Sequence, residues 1–124
     1  MTWRYAQLRQ ALVNLAASAD EQHAYLERIF EPVTSGRSAV GYGNDELALE
    51  LEGIYCANGD MLACGEISEV QAEAPRTLDA FLEKWSGRQN ADFWVRDALW
   101  NDPRWEEVRQ FARVALAEFP PEPI

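Results

Sequence analysis

The sequence predicts an all-α fold, a single-domain bundle of about five or six helices. Two observations carry this. Apolar residues recur at spacings of three and four along most of the chain, and helix-start signals stand in front of several of those stripes. With 124 residues the chain has the size of one domain, and its 48% hydrophobic content, including five Trp, four Tyr and five Phe, can fill a core without staples.

Each element follows from its residues. Tyr5, Leu8, Leu12 and Leu15 form one stripe on a helix over 3–17. Ser18 and Glu21 stand at capping-box spacing before a second helix, with Tyr25, Leu26, Ile29 and Phe30 inward. That helix is expected to stop near Glu31-Pro32 and to pack antiparallel on the first. Residues 32–44, with three Gly and two Ser, read as a flexible loop. A phosphate cradle there would need a Gly-Lys-Ser/Thr ending or a strand-turn-helix setting, and neither is visible.

The stretch 46–52 fits two patterns. Leu47, Leu49 and Leu51 alternate as in a strand, with Asn58-Gly59-Asp60 as the turn of a short hairpin near 46–64. Leu47, Leu51, Ile54 and Tyr55 also make a helical stripe, with Asn44 or Asp45 as N-cap. Leu, Ala and Glu favour helix, which is the preferred reading. Pro75 opens a helix burying Leu78, Phe81, Leu82 and Trp85 and ended by Ser86-Gly87. Asn90 should cap a short helix burying Trp94, Val95, Ala98 and Leu99. Asp102-Pro103 starts a last helix with Trp105, Val108, Phe111, Ala112, Ala115, Leu116 and Phe119 inward. The domain is expected to span 1–119, with 120–124 a Pro-rich tail.

Charge is the informative feature. The net charge is −10, which opposes binding to nucleic acid. Eight acids, Asp45, Glu46, Glu50, Glu52, Asp60, Glu66, Glu69 and Glu73, occupy a stretch with no Lys, Arg or His. The rest of the chain holds thirteen acids against eleven bases. An unmixed acidic face opposes folding through self-repulsion, so its presence points to a use. These eight residues are the candidate partner-binding set.

Catalytic constellations do not emerge. His23 is the sole histidine; it shares a helix face with Asp20 and Glu27, but a carboxylate-bridged metal site would need matching ligands from other helices. The neighbours Glu50/Glu52 and Glu106/Glu107 point in different directions on a helix. Acidic surroundings blunt Cys64 as a nucleophile, and Cys56 and Cys64, eight apart, read as reduced thiols with a 56–64 disulfide as the alternative. No cofactor, metal or catalytic residue is therefore assigned, and aromatic residues of the last helices read as core. The polar N-terminus, and the lack of an apolar run of spanning length, predict a cytoplasmic protein without membrane contact.

The blocks Asp45-Glu-Leu-Ala-Leu-Glu-Leu-Glu52, Asn90-Ala-Asp-Phe-Trp94 and Ala98-Leu-Trp-Asn-Asp-Pro-Arg-Trp-Glu-Glu-Val-Arg109 resemble small helical bacterial proteins, some of them similar to immunity proteins encoded beside toxins. That resemblance implies a non-enzymatic toxin inhibitor with a basic protein partner, without assigning binding residues. An acidic adaptor or nucleic-acid mimic for another basic protein is the alternative, and a small enzyme or ligand-binding domain using the Gly-rich loop the third. For the fold, far-UV circular dichroism should show the helical double minimum; a spectrum dominated by strand would contradict the all-α class.

Overall fold

The computed structural model describes residues 2–34 and 43–121, without the side chains of 31–34. The expected loop therefore lies, for residues 35–42, outside the described residues, as does the tail beyond Pro121. The architecture is all-α. Five helices have nine residues or more: α1 (Trp3–Ala16), α2 (Ala19–Thr34), α3 (Asp45–Tyr55), α6 (Arg76–Lys84) and α9 (Pro103–Leu116). Shorter segments are α4 (Asn58–Ala63), α5 (Glu69–Glu73), α7 (Ala91–Trp94) and α8 (Ala98–Asn101), with a 3-10 turn at Arg88–Asn90.

The apolar stripe of α1 is the axis of the bundle. Leu8, Leu12 and Leu15 are fully buried, and α1 lies chiefly against α9 and α3. Contact with α2 is slight, less than the antiparallel pair expected from the short connection, and α2 touches α8 to a similar extent. The capping box is present, with the Glu21 N–H donating to Ser18 Oγ (3.2 Å) and the Ser18 N–H to Glu21 Oε1 (3.1 Å). Past the expected stop, α2 continues through Pro32 to Thr34. The proline forgoes its own N–H bond close to the helix end, where only Val33 and Thr34 follow it.

α3 is helical, and Leu47, Leu51, Ile54 and Tyr55 are its buried side. No hairpin forms among the described residues, because Asn58-Gly59-Asp60 begins α4 rather than a turn between strands. Asn58 Nδ2 donates to Tyr55 O (2.8 Å), tying the start of α4 to the end of α3. Gly65, at φ +75°, closes α4 by donating to Leu62 O (3.1 Å), while the Glu66 N–H reaches Met61 O (2.8 Å). This is a Schellman stop, so Cys64-Gly65 is a helix end. Both cysteines are free and exposed.

Two expected caps are corrected. Asn44 is fully buried and makes no capping bond; its Nδ2 donates to Val95 O (2.6 Å), fastening the start of α3 to the α7–α8 corner. Asn90 donates to Ser86 O (3.1 Å) instead of capping α7. The stripe expected over 90–101 is also broken. Val95 is extended (φ −78°, ψ 151°), which resets the register: Phe93 and Arg96 are buried, Val95 is exposed and Trp94 only half-buried. The Asp102 cap on α9 forms as expected, by accepting from the Arg104 N–H (2.9 Å). Phe93 and Trp105 stack at 4.7 Å within the core.

A buried polar relay joins four helices, α1, α2, α8 and α9. Gln22 Nε2 donates to Asn14 O (3.2 Å) and Leu15 O (3.1 Å), and its Oε1 accepts from Arg109 Nε (3.1 Å). Arg109 also donates to Glu106 (3.2 Å) and to Leu99 O. Arg109→Ala would leave the Gln22 and Leu99 oxygens without this donor, costing about 3 kcal/mol in urea unfolding. Glu107→Ala, on the exposed side of the same helix, should stay within about 0.5 kcal/mol.

Candidate interaction surface

The eight acids of 45–73 do not behave alike. Arg4 of α1 donates to Asp60 (2.9 Å) and chelates Glu66, and its guanidinium holds the Glu66 carboxyl below the usual range. Glu73 pairs with Arg76 (2.8 Å). Glu50 is half-buried and accepts from the Tyr25 hydroxyl; burial first, and then this carboxylate, push the phenol up to about 12. These four carboxylates have work inside the fold. Asp45, Glu46, Glu52 and Glu69 form no ion pair among the described residues, and all but Glu46 are exposed.

Asp45 and Glu52 line a groove of about 880 Å³. One wall is α3, where Asp45, Ala48, Leu49 and Glu52 stand at helical spacing opposite the buried stripe. The other wall is α6, with Asp79, Leu82 and Glu83. Ser86, Gly87, Arg88, Ala91, Trp94 and Val95 close one end. Gly87 has φ +103°, the left-handed region that lets the chain turn out of α6 toward α7. Trp94 is anchored by donating its indole N–H to Trp85 O (2.8 Å). The lining combines apolar side chains with four carboxylates and one guanidinium.

Asp79 was not among the sequence candidates, because it follows Arg76 in a stretch of mixed charge. Burial raises its carboxyl above the ordinary range, and Glu83 and Glu52 raise it further. Only folding across the groove brings Glu52 to Asp79. The juxtaposition has no local signal in the chain.

His23, Asp20 and Glu27 do converge on common partners, though in a packing role. Arg96, fully buried, meets His23 Nδ1 and Glu27 Oε1, each at 2.9 Å. Trp100 donates to Asp20 (2.8 Å), and its ring lies 5.3 Å from that of His23. This α2 face docks the α7–α8 segment. No cluster of metal-ligating side chains occurs among the described residues, and no described helix is long and apolar enough to cross a membrane. Comparison with protein-family models, curated proteins and solved structures finds no match.

The Asp79 environment makes a signed prediction. A raised folded-state carboxyl pKa favours the native state only where the group is protonated, so near neutral pH the ionised Asp79 costs stability. Asp79→Asn should raise stability at about pH 7 by less than about 1 kcal/mol, since the site is partly solvated. The gain should close by about pH 3, as read from urea midpoints at the two pH values.

Proposed function

We propose that this protein is a non-catalytic binding protein of the immunity type, acting in a bacterial cytoplasm by occluding a basic toxin domain with its acidic surface. One observation carries the reading: seven of the described arginines are bonded within the fold while acids are left outward. Arg4, Arg76, Arg96, Arg104 and Arg109 each hold a carboxylate, and Arg9 and Arg113 donate to the carbonyls of Phe119 (2.8 Å) and Ala16 (3.2 Å). Asp45, Glu46, Glu52 and Glu69 therefore project a field that their own chain does not neutralise. Such a field repels phosphate backbones and steers a cationic protein surface into contact.

The tying of His23 to Arg96 and Trp100 supports a structural use of the sole histidine over a catalytic one. An acidic adaptor for another basic protein would use the same surface; a toxin gene adjacent to this one would favour the immunity reading. The test is a partner captured from the native cell, followed by association kinetics. Glu52→Lys with Glu69→Lys should slow association about tenfold at low salt and flatten its salt dependence. These two positions are chosen because neither forms an ion pair among the described residues, whereas reversing Glu50 or Glu66 would also break contacts to Tyr25 or Arg4. Unchanged kinetics and unchanged salt dependence would overturn the acidic surface as the docking site.

A further inference from the structure

The groove between α3 and α6 has features that charge alone does not require. Leu49 and Val95 are 48% and 38% exposed, and Leu82 and Trp94 lie beside them in the lining. Asp79 is held in a partly buried position with Glu52 and Glu83 near; burial chiefly, and then these two charges, raise its carboxyl. Asp79 and Glu83 form no ion pair among the described residues, and the groove offers them only Arg88. Mutual repulsion of this kind is relieved when a cation enters, so a bound cation gains more here than at an isolated surface carboxylate.

The spacing of the carboxylates is compatible with a helical occupant. Asp45 and Glu52 are seven residues apart on α3, about 10 Å along the helix, and Asp79 and Glu83 are four apart on α6, about 6 Å. Cations at i, i+4 and i+7 on a helix stand at the same intervals, with apolar residues at i+3 between them. From the four carboxylates set against one guanidinium and the apolar side chains that line the groove with them, we infer that the groove receives a cationic amphipathic helix of the partner, with Lys or Arg meeting the carboxylates of both walls and apolar side chains seated on Leu49, Leu82, Trp94 and Val95. This rests on the reading that the partner is a basic protein, and adds where and by what element it docks.

The probe is a synthetic helical peptide of Leu, Lys and Ala with Leu and Lys on one face, compared with a shuffled peptide of identical composition. Calorimetry on the full chain should show the patterned peptide binding about tenfold more tightly than the shuffled one. Ala91→Trp fills the groove from an exposed position without changing charge, and should weaken binding about tenfold. D79N combined with E83Q should do the same while keeping the circular dichroism spectrum, because ionised Asp79 does not favour the fold. Equal affinity for both peptides, or full binding to Ala91→Trp, would overturn the inference in favour of unpatterned charge attraction. Displacement of the patterned peptide by spermine at equal or lower concentration would overturn it in favour of a small-cation site. The two readings separate on the captured partner. If Ala91→Trp binds it normally and Glu52→Lys with Glu69→Lys does not, the groove fails and the acidic-surface reading stands. If neither variant alters binding, both fall.

Discussion

Gln22 and Arg109 are both buried, and each is tolerable there only because the other is present. A buried guanidinium must find acceptors, and Arg109 finds the Gln22 amide oxygen, Leu99 O and Glu106. A buried amide must satisfy its nitrogen, and Gln22 does so on Asn14 O and Leu15 O, the open carbonyls at the end of α1. This chain of bonds ties α1, α2, α8 and α9 at one point. It also explains how α1 and α2 can be joined by a tight turn yet share little side-by-side packing. Gln22 ties them directly, and Arg109 of α9 holds Gln22 in place.

The same logic places the termini of the described chain. Tyr5 donates to Pro120 O (2.7 Å), Arg9 to Phe119 O, and Gln71 to Glu118 O (2.9 Å). Phe119 is fully buried beside the Tyr5 ring at 5.6 Å. With α9 locked along α1, the α6–α9 contact sets the position of α6, and α1–α3 packing sets that of α3. The groove lies between α3 and α6, which also touch each other directly.

Charge and packing are coupled through the arginines. Each arginine drawn inward to satisfy a carbonyl or carboxylate is one fewer available to neutralise the outside, so polar satisfaction of the interior intensifies the external field. Arg96 is the clearest case, fully buried between His23 and Glu27. Arg104 is another, stacked over Trp85 and Phe93 while paired to Asp92 and Asp102.

The helical class, the α1, α3 and α9 stripes, the Ser18 and Asp102 caps and the acidic run were legible in the sequence because each depends on neighbours within about one or two helical turns. The identity of the partner for every buried polar group was not. Asn44 lies before a helical stripe and reads as its cap, yet it is taken by Val95 O, fifty-one residues away. Arg96 follows Trp94 and Val95 in a pattern that predicts those two inward; the extended Val95 reverses the outcome because the arginine has His23 and Glu27 to meet inside. Composition over 45–73 determined that this protein would carry an acidic surface. Tertiary structure alone decided that Arg4 would neutralise Asp60 and Glu66, and that Glu52 would face Asp79 across a groove, since ion pairing and repulsion depend on distance in space and the chain's local periodicity encodes none of it.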